Sequence, residues 1–374
     1  MIRPTVATVS LDAVEANVRA IRGMLDRQGA AAPGIIAVAK ANAYGHGAVA
    51  VGQALDRAGV SMLACADIEE GVSLRESGVS LPILVFGALS VSDLSGVFEH
   101  RLTPTISTPA AARALADAAR SRGVVLPFHL KVDTGMNRLG FRHDNLRRTM
   151  PEVLSSPHLA CEAVYTHFAT ADEPESAFLE EQRSRFERAC AALGALGLPH
   201  PRRHAANSAA LLRDARTWYD WVRPGLLLYG IVPPPLASEL PLRPALSLTS
   251  RIVAVKGIRA GEGAGYGLRW RAEAPSTIAI VPAGYADGLD TRLSGRGTVL
   301  VRGQRVPIVG SVCMDMISID VTGLDVAPGD EVVIIGRQGD QEITARETAA
   351  AIGTIPWEIV CRLGARIERK YASS

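Results

Sequence analysis

The 374-residue sequence lacks several features that would place it in whole classes of proteins. Its five cysteines include no Cys-x-x-Cys pair, which argues against a disulfide framework and a structural zinc site. No stretch approaches the roughly 20 apolar residues of a membrane-spanning helix, and no signal-peptide segment is recognised. The 40 basic and 38 acidic residues are spread without runs, so neither nucleic acid nor a membrane is an expected partner. We therefore expect a cytoplasmic protein with reduced thiols.

Strand-like and helix-like segments alternate up to about residue 230. An opening strand is predicted at 5–11, followed by an amphipathic helix at 11–27. Further strands are predicted at 34–39, 61–66, 82–86, 103–107, 127–132, 161–167, 202–206 and 221–229. Thr108 and Pro109 offer an N-cap with proline at the first helical position. Eight strand–helix units favour a (β/α)8 barrel over an open doubly wound sheet, because no Gly-x-Gly-x-x-Gly turn follows an early strand.

Beyond a proline-rich segment at 233–244, which is typical of a linker, the pattern changes to strand-like alternation. Strands are predicted at 246–258, 277–281, 298–301, 306–321 and 331–335. A helix is predicted at 344–353, with Thr344 as its cap and Glu347 completing a capping box. The chain therefore divides into residues 1–240, the barrel with its opening strand, and residues 241–374, a mostly β domain.

The stretch from residue 35 to residue 47 places a single lysine at the end of a short apolar run. The run stops at Lys40, and a loop with Tyr44 and two glycines follows. This pattern predicts a buried strand that delivers an amine to its end. A lysine in an apolar site is driven toward its neutral form, which reacts with carbonyls such as the aldehyde of pyridoxal phosphate. A strand-end lysine that points to water explains this stretch, taken alone, equally well.

Further polar residues follow the later barrel strands, at the rim where reactive groups collect in such folds. They are Lys131 and Arg138 after the fifth strand, His167 after the sixth, Asn207 and Ser208 after the seventh, and Arg223 and Gly225 on the eighth. Taken singly, a strand-end histidine can be a core group, Asn-Ser can be an N-cap, and an arginine can belong to a buried ion pair. Their coincidence at one rim predicts a functional site.

Several short segments of the chain together match one known family. They are the Lys40–Tyr44 stretch, Met136-Asn-Arg138-Leu-Gly, Tyr165-Thr-His167-Phe-Ala, Ala206-Asn207-Ser208, Arg223-Pro-Gly225, Gly265-Tyr266-Gly267, Gly284-Tyr285-Ala-Asp-Gly288 and Cys313-Met314-Asp315. On these residues, which run in family order over nearly the whole chain, the protein resembles the alanine racemases of the fold-type III pyridoxal-phosphate enzymes. The resemblance implies an isomerase that interconverts L- and D-alanine and supplies D-alanine for bacterial cell-wall peptidoglycan.

The same resemblance implies two bases and pyridoxal phosphate held on Lys40. Racemisation needs a proton to leave one face of Cα and return to the other. By resemblance, Lys40 acts on D-alanine and Tyr266 acts on L-alanine. A tyrosine hydroxyl is a poor base at neutral pH, and His167, close to Arg223 in the family, is the candidate to assist it. Arg223 resembles the arginine that faces the pyridine nitrogen and should keep it unprotonated.

The resemblance also implies binding residues for cofactor and substrate. The cofactor set adds Tyr44, Asn207, Ser208, Gly225, Leu226 and Trp357 to Lys40, His167 and Arg223. The substrate set is Arg138, Met314, Tyr285 and Asp315, the last of which a turn role also explains. Lys131 matches a position that is carbamylated in some members, with a plain lysine–aspartate pair as the alternative. No metal is implied.

Trp357 departs from the family, which usually has a tyrosine that touches phosphate and narrows the substrate entrance. An indole donates one hydrogen bond but cannot accept one, and it is bulkier than a phenol. We expect a retained phosphate contact and a changed entrance. Strict selectivity for alanine is therefore open, although a larger residue argues against admitting big side chains. A racemase of broader specificity that also accepts serine is an alternative.

Tyr266 and Met314 fall in the predicted β domain, whereas Lys40 falls in the barrel. The resemblance implies a homodimer in which head-to-tail subunits complete each other's sites. Two other interpretations stay open: a fold-related decarboxylase of basic or diamino acids, and a non-catalytic pyridoxal-phosphate carrier. Arg223 and the glycines around Tyr266 argue against the decarboxylase, and the β domain argues against the carrier.

Overall fold

Eight parallel strands form the first sheet, which closes on itself as the sequence predicts. The structure is a computed structural model that describes residues 4–27, 29, 32–89, 93–198 and 200–372. In order around the barrel, the strands are Gly34–Val38, Met62–Cys65, Ile83–Val85, Thr103–Ile106, Leu126–Asp133, Leu159–Tyr165, Arg202–Asn207 and Trp221–Arg223. The eighth pairs with the first, so the open doubly wound alternative is wrong. A short strand, Phe141–Arg142, lies beside the fifth.

Helices flank these strands, and the one after the fourth strand begins at the cap that the sequence indicates. They span Leu11–Asp26, Ala48–Arg57, Ile68–Glu76, Ser95–Glu99, Pro109–Ser121, Leu146–Leu154, Phe178–Ala195 and Ser208–Arg213, with 3-10 turns at Ala215–Thr217 and Leu226–Tyr229. Thr108 accepts a hydrogen bond from the Ala111 N–H, and Pro109 opens the helix as predicted. Among the described residues, no helix is both long and apolar enough to cross a membrane.

Alternation along each barrel strand divides its side chains between two cores. In the first strand, Ile35 and Ala37 pack against the surrounding helices, while Ile36 and Val38 belong to the cluster inside the barrel. Trp221 of the eighth strand helps to fill that interior. Because both faces of the first three strands are buried, these strands read as unbroken apolar runs, which is why the sequence locates them.

The second domain is mostly β, as predicted, and its main sheet takes in strands from both ends of the described chain. The strands are Val6–Ser10, Leu246–Arg251, Ala254–Ile258, Ser276–Val281, Thr298–Val301, Gln304–Val309, Ile317–Asp320, Glu331–Gln338, Gln341–Ile343 and Glu368–Ala372. A separate hairpin pairs Gly263–Ala264 with Trp270–Arg271. The sequence groups the opening strand with the barrel, but Val6–Ser10 is hydrogen-bonded between Leu246–Arg251 and Glu368–Ala372. It therefore lies in the second sheet.

Three predicted strands end early or divide. The strand predicted at 246–258 is two strands, because the chain turns at Ile252, whose N–H bonds to Asp330, and then joins a different neighbour. The strand predicted at 306–321 is interrupted by a loop at 310–316, which starts at Gly310 with a φ of +69°. The strand predicted at 221–229 stops at Arg223, because Pro224 has no N–H to continue the ladder.

The second domain also contains helices at Ala345–Ile352 and Pro356–Cys361. The Thr344 cap is confirmed, since its hydroxyl accepts a hydrogen bond from the Glu347 N–H at 3.0 Å. The reciprocal half of the capping box is wrong. The Glu347 carboxylate instead accepts hydrogen bonds from Arg305, because this guanidinium lies within reach across the sheet. The terminal strand Glu368–Ala372 is absent from the sequence prediction, because its exposed, charged residues give no apolar pattern.

Candidate active site

A cavity of about 390 Å³ opens at the C-terminal ends of the barrel strands. All the site residues that the sequence predicts in the barrel line it, together with Trp357 of the second domain: Lys40, Tyr44, Lys131, Arg138, His167, Asn207, Ser208, Arg223, Gly225 and Leu226. They follow different strands, so barrel closure is what brings them together.

Lys40 lies directly after the first barrel strand and is half-buried in the cavity. Burial, and next the charge of Arg138, hold the pKa of its amine below the ordinary value. A larger share of the amine is therefore neutral and nucleophilic at any given pH. The structure places Lys40 in the cavity rather than on the open surface.

The residues that follow Lys40 form a left-handed turn, residues 41–44, which we call the Lys40 turn. Ala41, Asn42, Ala43 and Tyr44 have φ values between 52° and 54°. For residues with a Cβ, this conformation costs about 1–2 kcal/mol each. Such strain persists only where the surroundings over-determine it, and it concentrates at functional sites. The sequence predicts a loop here, but it does not predict that the turn is left-handed.

The Lys40 turn directs Tyr44 against the loop that follows the eighth strand. A Cβ at Gly225 would lie 2.7 Å from the Tyr44 hydroxyl oxygen, so only glycine leaves room for the ring. Ser208 Oγ accepts hydrogen bonds from the N–H groups of Gly225, at 3.0 Å, and Leu227, at 3.4 Å. Tyr44, Ser208 and Gly225 thus form one wall of the cavity.

Three further predicted cofactor residues lie along the same cavity. Asn207 caps the helix after the seventh strand, because its Oδ1 accepts a hydrogen bond from the Ala210 N–H at 2.9 Å. Leu226 begins the 3-10 turn after Gly225. Trp357 enters from the first turn of the Pro356–Cys361 helix and is half-buried.

Arg223 is buried and held by four hydrogen bonds. It donates to the carbonyls of Thr166 and Ala205, both at 2.8 Å, and to Nδ1 of His204, at 3.1 Å, and of His167, at 3.2 Å. Because a guanidinium can only donate, both Nδ1 atoms are acceptors, and each neutral ring carries its proton on Nε2. Burial lowers the pKa of Arg223 to about 10, so it stays charged at neutral pH. Burial, and next this charge, hold the pKa of His167 well below its ordinary value.

Lys131 and Arg138 add two more cations to the cavity. Burial, and next the charge of Arg223, lower the pKa of Lys131 to about 7. Its Nζ lies 4.5 Å from the centre of the Tyr165 ring, and it has no ion pair in the described part of the chain. The Asp133 carboxylate instead accepts backbone hydrogen bonds from Gly135 and Asn137. The plain lysine–aspartate pair is therefore wrong. Arg138 likewise makes no ion pair with any described residue.

The substrate residues predicted in the second domain lie outside the cavity. The side chain of Tyr266 is 78% exposed, Met314 is 52% exposed and Tyr285 is 45% exposed. They share one surface, since the Tyr285 N–H bonds to Cys313 and Ser311 Oγ donates to the Tyr266 carbonyl at 2.8 Å. We call Tyr266, Tyr285 and Met314 the tyrosine face. Asp315 is next to it and pairs with Arg366 at 2.6 Å.

Comparisons with known proteins match both domains. A family model described as the alanine racemase N-terminal domain matches residues 9–233, and one described as the alanine racemase C-terminal domain matches residues 245–371. The chain belongs to the alanine racemase family. It is 43% identical to the alanine racemase of Symbiobacterium thermophilum over 99% of this chain and 97% of that one. It is 42% identical to that of Carboxydothermus hydrogenoformans over 99% and 100%.

Solved structures agree with this membership of the alanine racemases, a family of isomerases. The alanine racemase crystal structure from D-cycloserine-producing Streptomyces lavendulae matches with a TM-score of 0.95 at 35% identity, over 100% of this chain and 98% of that one. That of Bartonella henselae, described with covalently bound pyridoxal phosphate, matches with a TM-score of 0.88 at 29% identity, over 99% of each chain.

Within this alanine racemase fold, a buried histidine pair behind Arg223 is missing from the sequence prediction. His204 Nε2 lies 3.0 Å from His129 Nδ1, and the His204 ring stacks on Tyr165. Burial, and next the charge of Arg223, lower the pKa of His129 to about 3. The sequence does contain a signal for His129. Side chains alternate between the two faces of a strand, so His129, two residues before Lys131, lies on the same inward face as Lys131.

Proposed function

We propose that this chain is a pyridoxal-phosphate-dependent alanine racemase that interconverts L- and D-alanine with two bases, Lys40 and Tyr266. The observation that supports this best is the cavity, which gathers Lys40, whose pKa is lowered, with Lys131, Arg138 and Arg223. A concave site with this charge attracts a phosphate and a carboxylate. Family membership agrees with the reaction class.

The residues present fit pyridoxal phosphate. Lys40 would hold the cofactor covalently through Nζ, and Tyr44, Ser208, Gly225, Leu226 and Trp357 would hold the phosphate, with Asn207 positioning the helix beside it. The close approach of Tyr44 to Gly225 forms a cradle that a Cβ would fill. When bound, the cofactor withdraws electrons from the substrate and makes its Cα proton removable.

Arg223 would face the ring nitrogen of the cofactor. Its charge and its donor-only chemistry keep that nitrogen unprotonated. Four hydrogen bonds fix the guanidinium, so it can hold this position throughout turnover. A decarboxylase of this fold would have a carboxylate here, and the buried arginine argues against that alternative.

Two groups on opposite faces of Cα would move the proton. Tyr266 Oη removes it from L-alanine, and Lys40 Nζ removes it from D-alanine. His167, with its proton on Nε2, can donate a hydrogen bond to the deprotonated Tyr266 oxygen and so stabilise it. Arg138 would bind the substrate carboxylate, with Met314, Tyr285 and the Arg366-paired Asp315 beside it.

Because the tyrosine face lies outside the cavity of its own chain, we propose a homodimer with shared active sites. Exposed Tyr266, Tyr285 and Met314 form the kind of apolar surface that a second copy covers. A head-to-tail pair closes on itself, so each chain supplies its tyrosine face to the other's Lys40.

We further propose that Lys131 is carbamylated. Carbon dioxide reacts with a neutral amine, and a pKa of about 7 leaves much of Lys131 neutral under physiological conditions. The carbamate would be an anion able to pair with Arg138, which has no ion pair among the described residues. It would thereby fix the group that binds the substrate carboxylate.

The proposed cellular role is to supply D-alanine for cell-wall peptidoglycan in the bacterial cytoplasm. The wild-type gene should allow a D-alanine-requiring bacterium to grow without added D-alanine, whereas the Lys40→Ala gene should not. Growth with the Lys40→Ala gene would contradict the role.

The decisive experiment follows Cα deuterium exchange of L- and D-alanine in heavy water, with chiral analysis. For Tyr266→Phe, exchange from L-alanine should fall far more than exchange from D-alanine, because only the L-face base is lost. Equal losses from both enantiomers would contradict the two-base assignment. Carbon dioxide release would select the decarboxylase, and cofactor binding without any exchange would select the carrier.

A further inference from the structure

The left-handed Lys40 turn is braced by a carboxylate from the next strand–helix unit. Glu70, in the Ile68–Glu76 helix, accepts a hydrogen bond from the Ala41 N–H at 2.6 Å through one oxygen. Its other oxygen accepts one from the Ala66 N–H, at the end of the second barrel strand, at 2.8 Å. One side chain thereby ties the start of the turn to the barrel.

A guanidinium from the second domain holds the other end of the turn. Arg369 Nε, in the Glu368–Ala372 strand, donates to the Gly45 carbonyl at 2.7 Å. Its remaining nitrogens donate to the carbonyls of Leu363, Gly364 and Ile367, so its position is fixed. A fork with several donors can do this, whereas an ammonium cannot reach all four oxygens.

The turn needs such support, because its own residues disfavour the conformation. Internal hydrogen bonds join the Ala43 N–H to the Ala39 carbonyl and the Gly45 N–H to the Ala41 carbonyl. These bonds can form in a right-handed turn as well, which residues with a Cβ prefer. The choice of hand must therefore come from contacts outside the turn.

We propose that Glu70 and Arg369 are positioning residues that hold the Lys40 turn left-handed and thereby set where Lys40 and Tyr44 stand in the cavity. The inference rests on the proposed role of Lys40 as the cofactor lysine. It gives the second domain a task within the chain's own site, in addition to the tyrosine face.

The packing of the two domains at the turn supports this coupling. A Cβ at Gly45 would lie 2.1 Å from the Val360 carbonyl oxygen, and a Cβ at Gly47 would lie 1.9 Å from the Tyr371 hydroxyl. The second domain therefore closes directly on the backbone that carries Lys40. His46, between these glycines, stacks on Tyr229, whose hydroxyl donates to the Val38 carbonyl.

The test compares Glu70→Gln and Arg369→Lys with matched controls, using the full-length protein. Glu70→Gln replaces one accepting oxygen by an N–H₂ group, and Arg369→Lys keeps the charge but loses the fork. Glu69→Gln and Lys370→Ala change exposed neighbours on the same two elements. Melting curves identify any variant that fails to fold. Glu70 and Arg369, the two residues that brace the turn, are each tested by a separate variant.

Two measurements follow each variant. Pyridoxal phosphate is titrated into the apoprotein by absorbance, and Lys40 acetylation by acetic anhydride is measured in the apoprotein by peptide mass spectrometry, with exposed Lys256 as the internal reference. Either brace variant should bind the cofactor about 10-fold or more weakly, because a hydrogen bond to a charged group is lost. In Arg369→Lys, which keeps the charge, Lys40 should be acetylated about threefold faster or more, because the turn opens. Glu70→Gln also removes a charge that raises the pKa of Lys40, so cofactor affinity is the deciding measurement for that variant.

Controls should match the wild type in both measurements. A fall in melting temperature with unchanged Lys40 reactivity and cofactor affinity would overturn the inference, since it would show a purely structural role. If the wild type itself fails to take up pyridoxal phosphate on Lys40, the proposed function fails. The acetylation of the apoprotein would still decide whether Arg369 holds the turn.

Discussion

At the scale of single residues, the cavity concentrates positively charged side chains in a partly buried site. Lys40, Lys131, Arg138 and Arg223 all line it, and burial, followed by repulsion from the neighbouring cations, lowers the pKa of both lysines. This cluster of cations suits two anionic ligand groups, a phosphate and a carboxylate. The same charges that would bind the proposed ligands also favour the reactive, neutral form of the amines.

Carbamylation of Lys131 should depend on pH in a defined direction. The neutral amine is the reactive form, so the carbamate should increase as the pH rises through about 7. With ¹³C-labelled bicarbonate, a carbamate resonance should be strong at pH 8 and weak at pH 6. Lys131→Arg should lack it at both values. The same resonance in Lys131→Arg would show that another amine is modified.

Trp357→Tyr should widen what the active site accepts. The indole is larger than a phenol, so its replacement should raise kcat/KM for serine relative to alanine about 10-fold, the range that pocket contacts achieve for one small group. An unchanged serine-to-alanine ratio in Trp357→Tyr would argue that this side chain does not limit the entrance.

At the level of elements, the site depends on two loops that approach each other closely. The Lys40 turn follows the first strand, and the loop at Gly225 follows the eighth, which pairs with the first. Gly225 has a φ of −118°, a value open to any residue, so its need for glycine comes from Tyr44 and not from its backbone.

Gly225→Ala should therefore weaken cofactor binding without unfolding the chain. The new methyl group would meet the Tyr44 ring at 2.7–3.3 Å, and the ring must shift from the phosphate position. We expect pyridoxal phosphate affinity to fall about 10-fold, with little change in melting temperature. Gly194→Ala, in the helix Phe178–Ala195 with open space around it, is the control. Equal pyridoxal phosphate affinities for Gly225→Ala and Gly194→Ala would contradict the proposed cradle formed by Tyr44 and Gly225.

Thr344→Ala tests how the short helix at Ala345–Ile352 begins. Loss of the hydroxyl that accepts from the Glu347 N–H should lower the free energy of unfolding by about 1 kcal/mol. Glu347→Gln should cost less, because its pair with Arg305 is largely exposed. Denaturant titration of both variants measures the two losses in the free energy of unfolding. A larger loss for Glu347→Gln than for Thr344→Ala would support the reciprocal capping box.

For the whole molecule, the decisive feature is that Lys40 and Tyr266 lie on different surfaces of one chain. The cavity contains the first, and the tyrosine face contains the second, with its side chain largely exposed. A single chain thus presents two halves of the proposed site, and a symmetric pair would join them twice.

Mixing two inactive variants tests this arrangement. Lys40→Ala and Tyr266→Ala chains should each be inactive alone, but heterodimers would hold one site with both residues intact. With random mixing, activity should recover to about a quarter of the wild type, because half the dimers carry one good site of two. Heterodimers confirmed by mass spectrometry but without activity would argue for sites built within one chain.

Much of this fold follows from local pattern, whereas the errors of the sequence prediction have non-local causes. The apolar runs at Gly34–Val38 and Met62–Cys65 locate barrel strands, because strands buried on both faces leave an unbroken apolar signal. The break at Ile252 and the placement of Val6–Ser10 in the second sheet depend on which distant strand offers a free edge. Such pairing energies do not appear in a short stretch of sequence.

The sequence by itself determined which residue types lie at the rim of the barrel. The order of the predicted strands indicates that one end of the barrel brings together Lys40, Tyr44, Arg138, His167 and Arg223. Only the tertiary structure decided how these groups behave. The left-handed turn after Lys40 comes from contacts with Glu70 and Arg369, far away in the chain. The lowered pKa of Lys131 comes from burial beside Arg223. Both are set by distances between remote residues, which only the folded chain establishes.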